Sequence, residues 1–379
     1  MSEDVQSLIA RLTGSPGTDY WGDSEQDWRN YRPAGGSLPD IPEAYQLAKT
    51  GRDAYLPLLK IVSMEGSDSP RFRNALFFLM YFNSLFVYRD LKKMFGQANS
   101  AQQVWIAEAM RKMLIRSTGW SEHPPEPSRR AVSKNTRPGR LSTTAAIVDL
   151  ARGIHARSGQ KVVIRDVAVS DGTSSVELAA LAAERGVPVC IVGTDAWLCL
   201  CYAIREGDQV VFNSRGKPLQ YEIHGKLFRW GDEVPASLAQ SKQRLEKAFG
   251  TGALERITTI APDIEASVGA GDYDMVFKEE DLFSPDPDMR EADIIRVANL
   301  LVEVTDDHRG YFSREEILKA LVELGRCVKD GAFLFLDNYR NKIERCGGWQ
   351  KDSSSARWRR LDLALDTPDV LEGVRDINI

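Results

Sequence analysis

The chain has 379 residues, enough for two or three domains at ~150 residues each. Lys plus Arg number 49 against 54 Asp plus Glu, a net charge of −5, so the chain lacks the basic footprint of a nucleic-acid binder and no nucleic-acid partner is expected. Hydrophobic residues at 43% and charged residues at 27% suit a globular protein with a large core. The five cysteines show neither C-x-x-C nor Cys/His zinc spacing, so no metal is expected. Reduced thiols and a cytoplasmic home are expected instead.

The N-terminal MSEDVQSLIA is acidic and reads as no secretory signal. Apolar residues at helical spacing follow in Val5-Leu8-Ile9-Leu12, Tyr55-Leu58-Leu59-Val62, Ala75–Phe86 and Trp105-Ile106-Ala109-Met110-Met113-Leu114. They predict an all-α domain over 1–118. Its most apolar run, 75–88, is interrupted by Asn83 and Ser84 and falls short of the ~20 residues that cross a bilayer, so it reads as a buried helix and no membrane span is expected. An aromatic loop with Tyr20, Trp21, Trp28 and Tyr31 is either a lid or a cover over a core edge. Residues 119–144 have the Pro, Ser and Arg content of a linker; Arg129, Arg130, Lys134, Arg137 and Arg140 make it a solvated connection or a basic arm.

From 145 to 379 strands and helices alternate. A helix over 145–158 precedes a β-branched strand, KVVIRDVAVSD (161–171), a helix ending at Gly186 and a strand PVCIVGTDA (188–196). A hairpin turns at Ser214-Arg215-Gly216, and a long helical region is expected over 236–269. Strands at 273–283 and 292–301, a helix with a Ser313/Glu316 capping box, a strand at 332–339 and two further strands complete the series. The alternation predicts an α/β fold, a doubly wound, mostly parallel seven-stranded sheet with an antiparallel edge.

In such a sheet ligands sit beyond the carboxyl ends of the strands. The first strand ends in Asp166-Val167-Ala168-Val169-Ser170-Asp171-Gly172, whose small residues let a ligand approach backbone amides. Asp195 ends the second strand at the ~20-residue interval from Gly172 that suits a ribose diol; as an alternative it caps the next element. Asp281 and Leu282 follow the third, where an acid and an apolar side chain can hold an adenine. Arg296 and Asn299 lie on the fourth, as an ion pair or as part of a site. There is no P-loop and no G-x-S-x-G elbow. The four histidines show no ligand spacing; His308 alone falls near the expected ligand edge.

In this order the strand ends resemble the class I S-adenosylmethionine-dependent methyltransferases, down to Lys329-Asp330-Gly331 before the fifth strand. The family's D-x-G-x-G-x-G is altered here, since Ala168 and Ser170 replace its first two glycines. Within the class, the chemotaxis-receptor glutamate methyltransferases have a similar loop, and an Arg-Asn pair followed by Tyr-Phe that Arg296, Asn299, Tyr311 and Phe312 match in stretched form. The resemblance covers 145–379 and implies S-adenosylmethionine as cofactor and an unidentified small-molecule or protein methyl acceptor as partner. Asp166 would head the donor loop. Ala168, Ser170 and Gly172 would line the methionine part, Asp195 would hold the ribose, Asp281 and Leu282 the adenine. Arg296, Asn299 and Tyr311 would face the methyl group or the acceptor. The alternatives are a methyltransferase-fold binding protein without turnover, motivated by the replaced glycines, and a nicotinamide-dependent oxidoreductase, which the first two strand ends also suit.

Overall fold

A computed structural model of the chain describes residues 3–14, 20, 41–117, 141–229, 232–251, 254–283, 291–298, 300–301, 312–340, 343–352, 357–362, 370–371, 374 and 376–379. Among the described residues six α-helices come first: α1 (Glu3–Gly14), α2 (Pro42–Lys49), α3 (Arg52–Met64), α4 (Pro70–Leu79), α5 (Leu85–Phe95) and α6 (Ser100–Ser117). Then follow α7 (Leu141–Ser158), β1 (Val162–Val167), α8 (Thr173–Glu184) and β2 (Val189–Asp195). The middle of the chain builds β3 (Cys199–Arg205), β4 (Asp208–Asn213), β5 (Pro218–Ile223), β6 (Lys226–Phe228), α9 (Ala239–Glu246) and β7 (Glu255–Thr258). The remainder is α10 (Pro262–Ala270), β8 (Met275–Glu279), β9 (Ile294–Ala298), α11 (Arg314–Cys327), β10 (Phe333–Arg340), β11 (Ile343–Asp352), β12 (Arg357–Arg360) and β13 (Asp376–Asn378).

The chain forms two compact units, and they do not follow one another along the sequence. The first joins α1–α6 to Cys199–Asp263; the second joins residues 141–198 to Ile264–Ile379. A helical domain over 1–118 and a sheet domain over 145–379 are divisions along the chain. In space, the segment holding β3–β7 packs with the N-terminal helices.

In the first unit five strands form an antiparallel sheet in the order β6-β5-β4-β3-β7. Leu200, Tyr202, Val211 and Leu219 turn one face to the helices, while Cys201, Ala203, Val210, Phe212 and Tyr221 turn the other to Leu245 and Ala248 of the α9 region. A register shift between Val211 and Phe212 sets both Leu219 and Gln220 against the helices; Leu219 joins their apolar core and Gln220 bonds to them. The expected helix over 75–86 is broken at Asn83, whose φ of 50° is left-handed; Ser84 then caps α5, accepting from the Val87 amide (3.4 Å). The run is buried as expected. Polar pins cross this interface: the Leu85 amide donates to Gln220 Oε1 (2.8 Å), and Tyr202 to the Leu85 carbonyl (2.8 Å). Tyr55 and Gln209 both donate to the fully buried Glu222. Tyr20 stacks on Phe77 and meets Phe78 edge-on, so this residue of the aromatic loop covers the core; Trp21, Trp28, Tyr31 and the basic linker lie outside the described residues.

In the second unit eight strands form one sheet, in the order β13-β12-β11-β10-β9-β1-β2-β8. β8, β2, β1, β9 and β10 are parallel, and β11, β12 and β13 are added antiparallel. The sheet is therefore mixed: the expectation of seven strands, mostly parallel, undercounts the antiparallel edge by β13, three residues long. Ile164, Ile191, Ile294 and Phe335 pack on α7 and α8, while Val167, Ile295, Val297 and Leu334 pack on α11 on the other face, so the parallel part is doubly wound. The Ser313/Glu316 capping box starts α11 as the sequence indicates. The expected helix over 236–269 is corrected to α9, β7 and nearly all of α10, with β7 paired antiparallel to β3.

Candidate functional site

The carboxyl ends of β1, β2 and β8 lie side by side in the second unit, with Asp166 opposite Gly193 and Asp195 opposite Glu279. After β1 the chain takes left-handed φ values at alternate positions: Ala168 at 65°, Ser170 at 58° and Gly172 at 88°. Left-handed backbone crowds a Cβ, so this conformation is costly at Ala168 and Ser170 and needs external support. That support is visible. The Ala168 and Val169 amides donate to the Thr194 carbonyl (2.7 and 3.1 Å), and the Ser170 amide to Asp195 Oδ2 (3.0 Å). The loop thus keeps the shape of a glycine-rich turn at two positions that are not glycine.

Asp195 is 8% exposed, and its other oxygen accepts the Trp197 amide (3.0 Å). It caps the turn after β2 and supports the loop after β1. From β8, Glu280 donates its amide to the Asp195 carbonyl (3.0 Å), and its buried side chain pairs with Arg165 (2.5 Å). Asp281 follows at the same edge and accepts the Phe283 amide (3.1 Å). Leu282 is buried, and Phe283 lies 42% exposed with its ring 5.2 Å from that of Phe312. Asp195 and Asp281 are therefore delivered by neighbouring strand ends.

One level lower, a register row crosses the parallel strands: Phe277, Gly193, Asp166, Arg296 and Phe335. Gly193 has no room for a side chain, since a Cβ there would lie 2.6 Å from the Phe277 ring, and the same ring abuts the Gly172 position (3.0 Å). Asp166 accepts from the Ser175 hydroxyl (2.6 Å) and pairs with Arg296 (3.7 Å). Arg296 is wholly buried, also pairs with Asp337 (3.5 Å), and donates to the Ser174 carbonyl (3.4 Å). Burial opposes its charge, but Asp166 and Asp337 outweigh burial and raise its pKa further. Buried Asp166 Oδ1 and the Thr194 hydroxyl have no hydrogen-bond partner among the described residues, so the strand ends retain unmet polar capacity.

Of the expected site residues, the structure brings together Asp166, Ala168, Ser170, Gly172, Asp195, Asp281 and Leu282 at one edge. It places Arg296 inside the sheet–helix interface. Asn299, Tyr311 and His308 lie outside the described residues. Sequence reasoning passed over Gly193, Ser175 and Asp337. A glycine inside a strand pattern signals a close approach, and an acid inside the apolar AFLFLDNY run signals a buried partner.

No family model and no curated protein matches the chain. Among solved structures it is similar to the CMeT domain of the citrinin polyketide synthase, at 13% identity and TM-score 0.25 over 79% of this chain and 48% of that one. It is similar to the DszA carbon methyltransferase at 12% identity and TM-score 0.27, over 79% and 51%. A protein-L-isoaspartate O-methyltransferase overlaps at 10% identity and TM-score 0.24, over 77% and 67%. The chain spans about half the length of the first two. Overlaps this weak identify neither an activity nor a subfamily, and none of the three is a chemotaxis-receptor enzyme.

Proposed function

We propose that the second unit binds S-adenosylmethionine at the ends of β1, β2 and β8, and that the chain transfers the donor's methyl group to an acceptor. The observation that carries this reading is the left-handed 168–172 loop tied through Ser170 to Asp195. It sets small side chains at a strand end beside a fixed carboxylate suited to a ribose diol. The unmet hydrogen-bonding capacity of Asp166 Oδ1 and Thr194 at the same edge fits a polar ligand. Ala168, Ser170 and Gly172 would line the methionine part, Asp195 would hold the ribose, and Asp281 and Leu282 the adenine. The bound sulfonium supplies an electrophilic methyl carbon. The protein's part is to hold the donor in line with a nucleophile and keep water out. The loop's Ala and Ser favour the receptor-glutamate type within this reading, without fixing the acceptor.

Charge supports this reading over a nicotinamide-dependent oxidoreductase. A dinucleotide's pyrophosphate needs the open amide end of the helix after β1. Here Asp171 already accepts the Thr173 amide at the start of α8 (3.0 Å), and Asp166 and Asp195 stand nearby. That environment favours a cationic sulfonium over a pyrophosphate.

Calorimetric titration with S-adenosylmethionine and S-adenosylhomocysteine tests the reading. Micromolar binding that weakens on Asp195→Ala, with label transferred to an acceptor in cell extract, is expected. Binding without transfer would leave the non-catalytic binding protein, and no affinity for either nucleoside would refute both.

A further inference from the structure

We propose that Arg296 is a positioning residue: together with Asp166 it clamps the start of α8 and thereby holds the 168–172 loop in its left-handed shape. This rests on the reading of that loop as the donor-binding segment. The guanidinium is 0% exposed, so it reaches the site only through its neighbours. One of its amino groups binds both the Ser174 carbonyl (3.4 Å) and Asp166 (3.7 Å); the other binds Asp337 on β10 (3.5 Å). Asp166 in turn takes the Ser175 hydroxyl at 2.6 Å. The first turn of α8 is thus fastened to β1, β9 and β10 at once.

The loop lies between this fastening and a second one. Upstream, Thr194 and Asp195 hold the amides of Ala168, Val169 and Ser170. Downstream, the Gly172 amide closes a turn on the Val169 carbonyl (2.9 Å), and Ser174 and Ser175 are held from below. Ala168 and Ser170 at φ 65° and 58° would relax to ordinary backbone if either end were released. An ion pair that served the core alone would join strand to strand; this one also takes a carbonyl of the helix that follows the loop.

The test reads amide hydrogen exchange of residues 168–175 in the ligand-free protein, and the affinity for S-adenosylhomocysteine by calorimetry. Arg296→Lys keeps the charge and shortens the fork. It should speed exchange in the loop about tenfold while α11 amides keep their rate, and weaken binding about tenfold as the competent loop shape becomes scarcer. Adding Ala168→Gly and Ser170→Gly to Arg296→Lys should recover much of that affinity, because glycine takes left-handed φ without a clamp. A passive core ion pair would show no such recovery. If Arg296→Lys does not fold, Ser175→Ala removes one fastening and should give about a threefold change of the same kind, again reversed by the glycines. Unchanged loop exchange, or binding that the glycines fail to recover, overturns the proposal. If the wild-type chain binds no nucleoside, the donor-site reading fails on its own account, and loop exchange alone decides the clamp.

Discussion

Asp195 is where structure and proposed chemistry meet, and Asp195→Asn separates its contributions. The carboxylate takes one amide on each oxygen, from Ser170 and Trp197, both at 3.0 Å. Hydrogen bonds to a charged group contribute about 1.5–3 kcal/mol each. Asparagine keeps one acceptor oxygen and turns an NH2 group toward the second amide, so one bond is lost and two donors face each other. The expected local cost is about 2–3 kcal/mol. A ribose hydroxyl that would use the same carboxylate loses a charge-assisted partner, about another 1.5 kcal/mol. The amide contacts are lost from free and bound protein alike, so the ribose contact sets the loss of donor and product affinity, roughly tenfold. Calorimetry with S-adenosylmethionine and S-adenosylhomocysteine measures it, and thermal unfolding gives the stability share, about 2–4 °C per kcal/mol for a unit of this size. An Asp195→Asn variant whose affinity stays within about threefold of wild type would refute the assignment. Lower stability with unchanged affinity would leave Asp195 as a turn cap alone.

Gly193→Ala places a Cβ 2.6 Å from the Phe277 ring and should destabilise the second unit by about 1–3 kcal/mol through overpacking; pairing it with Phe277→Leu should recover most of the loss in thermal unfolding. The described tyrosines whose hydroxyl pKa is pushed up by burial include Tyr55, Tyr202 and Tyr221, all in the first unit, with the charge of Glu222 adding to the effect at Tyr55. Their folded pKa values exceed the unfolded value near 10, so their contribution is complete below pH ~10 and is lost as the pH rises above it, at ~1.4 kcal/mol per pH unit for each. Three such groups predict a cooperative alkaline unfolding of the first unit, seen as a step in tyrosinate absorbance together with lost amide protection in α3 and α5. Tyrosines that ionise gradually while that protection persists would refute it.

Much of the second unit was legible because its signals are local. The β-branched run of β1, the Ser313/Glu316 box before α11 and the turn at Gly186 each declare an element within a few residues. The partnership of β3–β7 with the N-terminal helices was not legible. Leu200 and Tyr202 alternate with Cys201 and Ala203 as any strand buried on two faces would, and nothing local names the layer that covers each face. β7 was lost inside an expected helix because Glu255–Thr258 is four residues long, too short for period two to be told from a helical stretch. In the candidate site, the identity of Asp195 and its interval from Gly172 were readable. The conformation of Ala168 and Ser170 was not, since residues with a Cβ seldom turn left-handed and the replaced glycines pointed away from it. Arg296 was readable as a buried charge needing a partner. Which carboxylates it meets depends on the order of β1, β9 and β10, which only the assembled sheet sets.

The segment given to the first unit leaves the parallel sheet directly after the turn that Asp195 caps and returns through α10 to β8. Such an insertion would destroy a site that depended on the connection itself. It leaves the ends of β2 and β8 in register for a physical reason. Ligand contacts in a parallel sheet come from strand ends, and strand ends are fixed by register with their neighbours. Asp195 stays opposite Glu279, and the Glu280 amide still reaches the Asp195 carbonyl at 3.0 Å, across the whole inserted length. The entropy of closing a longer loop grows only with the logarithm of its length, about 0.6 kcal/mol per doubling. One ladder between β2 and β8 offsets that readily, so the acids at the carboxyl ends of these two strands can be held as neighbours whatever the chain builds between them.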